Sequence, residues 1–386
     1  MTEGADNRDN LIAGIYQGEI VPTLESRARR EFKPWHKPRK HFVRLHQWCH
    51  ETRQLLKKLQ YANGSELRYL GLPGEDLLDI RVLKGVCQKA NVQLRYLGFD
   101  SSLMSAQLNL SRHEVNSDQF IHPSSVVISD RVEDLSSRDS IAFKYVQQHA
   151  PFDVINLDLC NSVTALAEQG TIPNLEAIRT LCDVQMRGQP WLMFLTTRTV
   201  RDGLNAQTRQ RLFEQLLNNI SNNDEFSASM DGKLGFNKEK ILAELQVSGS
   251  LDAQSWLRAY ILAISKWLLH YMMDSNYTVT VHMLPSYVYS VQRSQRDMAS
   301  LAFSFEPAAL AREDRTGLTQ VRPLPVPPIE PKLAGLLVDQ IAAIQDVDDK
   351  LAGDQQLRRK MFTKSAALLA TLRYDMGAYK TFAFRE

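Results

Sequence analysis

Cysteine is scarce in this chain: 386 residues hold four, Cys49, Cys87, Cys160 and Cys182, widely spaced and without a C-x-x-C pair. That spacing argues against a disulfide framework and against a zinc site, so no metal is expected. Of the nine histidines, His36, His41, His46 and His50 are read as part of a basic block rather than as metal ligands. A membrane-spanning run is lacking too. The most apolar stretch, "WLRAYILAISKWLLHYMMD", is interrupted by Arg258, Lys266 and His270 and reads as a buried amphipathic helix. The first residues, "MTEGADNRDN", are polar and acidic, unlike a signal peptide, so a cytoplasmic location is expected. Net charge is only +2, which gives no global drive towards polyanions; nucleic-acid binding would need a local patch. Finally, no G-x-G-x-x-G follows a strand, which disfavours a nicotinamide-dependent oxidoreductase.

What is present can build a full core: 44% of residues are hydrophobic and 23% charged, as in an ordinary soluble protein. The one strongly biased block is 27–50, "RARREFKPWHKPRKHFVRLHQWCH". Half of its positions are Arg, Lys or His, with Phe32, Trp35, Phe42 and Trp48 interleaved. Pro34 and Pro38 predict an extended first half, and a helix follows from about Arg39 to Gln60. Beyond it, apolar strands alternate with helical patterns: "LRYLGL", "VQLRYLGFD", "SVVISD", "FDVINLDL" and "PWLMFLTTR" are separated by helices near 75–90, 101–113, 139–149 and 174–187. Such alternation predicts an α/β fold with a doubly wound parallel sheet. Residues 200–274 read as a helical insertion, followed by two closely spaced strands, "YTVTVHML" and "SLAFSFE". The domain reading is an N-terminal extension over 1–60, an α/β domain over 61–317, a Pro-rich linker over 318–332 and a helical tail over 333–386, expected as two helices.

The turn "GLPGED" after the first strand, Gly71 to Asp76, joins strand to helix through two glycines and a proline. It lacks the dinucleotide register. Five βα units closed by two linked strands resemble the class I S-adenosylmethionine-dependent methyltransferases, over roughly Tyr61–Pro307. The resemblance implies a Rossmann-like methyltransferase sheet ending in an antiparallel hairpin, with S-adenosylmethionine as cofactor. Gly71, Pro73 and Gly74 would then lie under the methionine part of the cofactor. Asp100, which ends the second strand, would hold the ribose hydroxyls, since a carboxylate accepts two hydrogen bonds from a diol. Asp130 and Arg131, after the third strand, would border the adenine. In "FDVINLDLCNS" Asp158 and Asn161 stand where the family binds and orients its acceptor, although Leu159 and Cys160 replace the usual proline and aromatic residue. The acid that usually precedes the glycines is replaced as well, by Arg68 or Tyr69.

Each residue also has a plainer reading. The glycine turn can be a tight connection that binds nothing. Asp100 followed by two serines suits a helix N-cap. Asn161 with Ser162 can start a helix, and Cys160 is more simply a buried thiol than a nucleophile. Lys33, Trp35, Lys37, Arg39, Lys40 and Arg44 have the chemistry for phosphates and stacked bases, yet the same block can be a solvated face packed on the core. The expected function is S-adenosylmethionine-dependent methyl transfer, with a nucleic acid as acceptor and a protein partner on the C-terminal helices. The alternative is a catalytically inactive scaffold subunit of the same fold.

Overall fold

The structure, a computed structural model, describes residues 30–101, 105–167, 170–185, 188–201, 204–274, 279–291, 296–307 and 330–384. Most of the Pro-rich segment therefore lies outside the described residues, as do Arg27 to Arg29 of the basic block.

Eight strands form one sheet: β1 (Glu66–Gly71), β2 (Gln93–Phe99), β3 (Val126–Ile128), β4 (Val154–Asp158), β5 (Trp191–Arg198), β6 (Val279–Tyr289), β7 (Met298–Pro307) and β8 (Gln345–Asp346). Their order across the sheet is β3-β2-β1-β4-β5-β7-β6-β8. The first five run parallel, and β7 lies antiparallel between β5 and β6. The order reverses between β1 and β4, where Gly71 pairs in register with Asn156. Crevices that bind ligands form outside the carboxyl ends of strands at such a switch point.

Sheet position explains the strand sequences. β4 carries Val, Ile, Asn and Leu without a polar–apolar alternation because helices cover both of its faces. Side chains still alternate between two cores. Leu70, Leu97, Ile155 and Leu157 enter one core together with the helical insertion. Leu67, Tyr69, Leu94, Tyr96 and Val154 enter the other, with Trp48, Leu55 and Leu83. Each large apolar side chain so buried contributes about 1.5–3 kcal/mol.

The N-terminal block is more compact than its prolines predict. Pro34–His36 forms a 3-10 turn, and helix α1 (Pro38–Val43) runs through a π turn at Arg44–Trp48 into α2 (Cys49–Leu59). Between the strands lie α3 (Leu78–Lys89), α4 (Ala106–Asn116), α5 (Ile141–His149) and α6 (Pro173–Asp183). The insertion folds as α7 (Ala206–Asn222), α8 (Asp224–Leu234), α9 (Lys238–Gln246) and α10 (Ala253–Asp274).

The C-terminal part departs from the two helices expected. It holds α11 (Glu330–Ala342), α12 (Val347–Gly353), α13 (Gln355–Thr371) and α14 (Met376–Phe384), plus β8, which pairs with β6 at Tyr287 and Val288. Aspartate caps cause the subdivision. Asp346 accepts from the backbone N–H of Asp348 at 2.7 Å and of Asp349 at 3.1 Å, and Asp354 accepts from Leu357 at 2.9 Å. Among the described residues no helix is long and apolar enough to cross a membrane, and no group of acidic, histidine or cysteine side chains is placed to hold a metal ion.

Candidate functional site

A cavity of about 250 Å³ opens at the carboxyl ends of β1, β4 and β5. Its floor is the Leu72-Pro73-Gly74 turn after β1, and Asp158, Leu159 and Cys160 at the end of β4. Arg198 at the end of β5 flanks it, and Tyr289 and Met298 of the β6–β7 pair close one side. The roof is the basic block itself, through Trp35, Lys37, Arg39, Lys40 and Arg44.

The turn is shaped by its glycines, each for a different reason. Gly74 has φ +61°, and a Cβ added there would meet nothing within 4 Å, so it offers bare backbone to open space. Gly71 leaves room for Tyr69: a Cβ would sit 2.5 Å from the phenol oxygen, which folds across it to reach α3. Gly98 of β2 leaves room for Pro73, whose ring would lie 2.9 Å from a Cβ. Below the turn lies a small polar network. The Tyr69 hydroxyl donates to Asp79 Oδ2, and Asn156 Nδ2 donates to the Tyr69 oxygen at 3.0 Å. Among the described residues the buried Asp79 Oδ1 and Asn156 Oδ1 have no hydrogen-bond partner. Burial pushes the Asp79 carboxyl above its usual range against the opposing pull of the Tyr69 bond.

Lys40 is the centre of the roof. Its Nζ lies 2.5 Å from Asp158 Oδ1 and 3.2 Å from the Tyr289 oxygen, 4.8 Å from the centre of the Trp48 ring. Burial pulls its pKa down, and Asp158 only partly restores it. One turn on, Arg44 is 4% exposed. Its Nη1 donates to the Trp35 carbonyl at 2.8 Å, while among the described residues its Nε has no partner.

A second hub fastens the roof. Asp76 accepts from His36 Nε2 at 3.1 Å, Tyr374 Oη at 2.7 Å, Arg30 Nη1 at 3.4 Å and Gln107 Nε2 at 3.4 Å. His36 Nδ1 accepts the Lys33 backbone N–H at 3.0 Å, so Nε2 carries the proton given to Asp76. Although burial raises the Asp76 carboxyl, the bonds from His36 and Tyr374 leave it lowered overall. Residues from both ends of the chain thus meet on the first-strand turn.

The sequence-derived candidates divide around this cavity. Pro73, Gly74 and Asp158 line it; Gly71 lies just behind, under Tyr69. Asp100 follows β2 and donates its backbone N–H to Ile128 at 3.1 Å, outside the lining. The helix after it is capped by Ser105, not by Asp100. Asp130 and Arg131 also lie outside the lining, beyond β3, where the exposed Arg131 pairs with Glu133 at 3.2 Å. Asn161 is exposed, outside the lining, and its carbonyl accepts from Arg198 N.

Of the six residues considered for nucleic acid, Lys33 pairs with Glu31, and Lys37 sits 5.7 Å from the centre of the Phe382 ring. Arg39 Nε is 3.1 Å from Asp348 Oδ1. Lys40 and Arg44 point inward, and Trp35 is 40% exposed at the mouth. Sequence reasoning missed Arg198, Tyr289 and Met298. Arg198 stood at a parallel-strand carboxyl end, where it could have been read; nothing local marks Tyr289 or Met298.

The sheet order, with an antiparallel β7 inserted beside β5, is the Rossmann-like sheet closed by an antiparallel hairpin that the sequence resemblance implies, here extended by β8. The chain belongs to the PP_RS20740-like family, which it matches over residues 29–384. Curated proteins of known sequence give no match. Among solved structures it is similar to an rRNA methylase from Streptococcus thermophilus, at 11% identity and TM-score 0.29, covering 72% of this chain and 98% of that one. The 23S rRNA methyltransferase ErmE is similar at 11% identity and TM-score 0.28, with 67% and 68% covered. The [4+2]-cyclase SpnF follows at 11% identity and TM-score 0.26, with 67% and 80% covered.

Proposed function

We propose that the chain is an S-adenosylmethionine-dependent methyltransferase whose acceptor enters beneath the basic roof and meets Asp158. The carrying observation is that Gly74 and Asp158, one from each side of the topological switch point, line a single cavity. The residues suit the cofactor's amino-acid end: Gly74 presents backbone without a side chain to open space, as a close-approach turn requires. Asp100 at the end of β2 would serve the ribose, Asp130 and Arg131 the adenine. When bound, the cofactor supplies an electrophilic methyl group. Asp158 then accepts a hydrogen bond from an acceptor amine and orients it, and Lys40, itself bonded to the Tyr289 oxygen, holds that carboxylate in place. Asn161, at the rim of the β4 loop, assists at the outer edge. Alignment of this kind accelerates transfer without covalent participation of the protein.

A nucleic-acid base is the acceptor class that supports the basic-aromatic composition best. Trp35 at the mouth offers a stacking face, and Lys33 and Lys37 offer phosphate contacts beside it. A base turned out of its strand can enter a cavity that a strand cannot. A specific observation favours the second reading, an inactive scaffold subunit of the same fold: Asp158 is already in an ion pair with Lys40. Calorimetric titration with S-adenosylmethionine, then incubation of wild type and Asp158→Asn with methyl-labelled cofactor and mixed DNA and RNA, separates the two. An enzyme transfers label, and Asp158→Asn loses transfer while keeping cofactor affinity. Absence of cofactor binding and of label transfer in the wild type overturns the methyltransferase reading.

A further inference from the structure

The cavity carries more positive than negative charge. Lys37, Arg39, Lys40, Arg44 and Arg198 line it against Glu75, Asp76 and Asp158. Most of these groups are engaged within the chain. Asp76 is held by His36 and Tyr374, Arg39 by Asp348, and Lys40 with Asp158 by each other. Two of these arginines are not paired with a carboxylate among the described residues: Arg198, half-buried, donates to the Cys160 carbonyl at 3.2 Å, and Arg44 is the fully buried one. Its guanidinium is buried, faces the cavity and forms one hydrogen bond, to a neutral carbonyl. Among the described residues no carboxylate reaches it within ion-pair distance; its Nε has no partner. A guanidinium stays charged in proteins, and a buried charge without a counterion is strongly unfavourable unless something supplies one.

Asp158 and Asp79 act on Arg44 only through space, and each has a closer partner, Lys40 and Tyr69 respectively. Among the described residues no other counterion remains, and a ligand can supply one. The planar fork of arginine matches a carboxylate through two parallel hydrogen bonds. The walls beside it are apolar: Leu72, Pro73, Leu78, Leu159 and Met298. A volume of about 250 Å³ is at the small end of ligand sites.

We infer that Arg44 receives the carboxylate of a small organic acid bound in this cavity. The inference rests on the cavity being the ligand site of the chain, as proposed above, and not on methyl transfer. The acid has two possible sources with one chemistry: a free acid such as an acceptor substrate, or the amino-acid end of the cofactor.

Thermal-shift and calorimetric titrations on the full-length protein distinguish them. Benzoate against benzamide probes a free acid. S-adenosylhomocysteine against 5′-methylthioadenosine, which lacks the amino-acid end, probes the cofactor. The expected result is that the acid of at least one pair binds ten or more times more tightly than its neutral partner. Arg44→Gln should abolish that preference while sparing the neutral compound, and Arg44→Lys should retain only part of it. Preference within the benzoate pair assigns a free acid; preference within the nucleoside pair alone assigns the cofactor. Equal binding within both pairs overturns the inference, and this comparison needs only the wild type should Arg44→Gln fail to fold. A preference untouched by both Arg44 substitutions overturns it as well. Benzoate selectivity without any nucleoside binding would leave the Arg44 site standing and remove the methyltransferase reading.

Discussion

Replacing Asp158 by alanine tests how the roof is held on the sheet. The pair it breaks is asymmetric: the Lys40 side chain is 5% exposed and that of Asp158 22%. Losing Asp158 strands an ammonium among Trp48, Tyr289 and Arg44, with only the Tyr289 oxygen at 3.2 Å left to it. Breaking a buried pair from one side costs about 3–5 kcal/mol. Losing Lys40 instead, as in Lys40→Met, leaves a carboxylate that water can reach, and should cost less than half as much. In the double variant Lys40→Met/Asp158→Leu both charges are gone, and stability should return to within about 1 kcal/mol of wild type, because apolar replacement of such pairs is close to neutral.

The pH dependence adds a sign that packing alone would not give. Burial already lowers the Lys40 pKa, and Asp158 is the largest influence raising it. Without Asp158 the folded-state pKa drops further below the unfolded value of roughly 10.4. The unfolded chain then binds the extra proton, so stability rises with pH across the interval between the two values. The deficit of Asp158→Ala should be largest at neutral pH and shrink towards pH 10. Urea unfolding followed by tryptophan fluorescence, with Trp48 beneath the pair, measures all four proteins. An Asp158→Ala cost below about 1 kcal/mol, or equal costs for Asp158→Ala and Lys40→Met with no pH trend, would refute this account of the pair.

Tyr69→Phe removes the hydroxyl that serves Asp79 and should destabilise by about 1–3 kcal/mol at pH 7. Burial already raises the Asp79 pKa, so the Tyr69→Phe loss should diminish as pH falls and Asp79 protonates; equilibrium denaturation at pH 5 and 7 checks the sign. Gly71→Ala should cost about 1–3 kcal/mol by displacing the Tyr69 ring, and it should be non-additive with Tyr69→Phe in a double-mutant cycle. Gly74→Ala meets only the left-handed backbone penalty, φ +61°, about 1–2 kcal/mol, with no coupling to Tyr69. Asp76→Asn weakens the bonds from His36, Arg30 and Tyr374; limited proteolysis should cut the C-terminal helices sooner, while the central sheet stays protected.

The sheet was legible because its signal is local. Runs such as "VINLD" and "WLMFLTTR" are apolar enough to be read without knowing their neighbours, and the order of strands and helices leaves few ways to wind them. The caps of the C-terminal helices were equally local: "QDVDD" and "GDQQ" each put an aspartate before a helical turn, a signal sufficient to divide the expected two helices into more. Conversely, the short strand β8 gave no periodicity, since it is only Gln345 and Asp346.

The basic block shows what composition cannot decide. Arginine and lysine interleaved with aromatic residues is the pattern of a phosphate-binding surface, and it is also the pattern of a lid whose charges are neutralised from beneath. The choice depends on carboxylates far away in the chain: Asp158 for Lys40, Asp348 for Arg39, Asp76 for Arg30 and His36. No window around residue 40 contains them. Arg44 lines the cavity, is buried and has no such carboxylate among the described residues, and the distinction between a roof and a receptor rests on its guanidinium. If a ligand carboxylate completes it, the lid is also part of the binding site, with the exposed ring of Trp35 on the same lining.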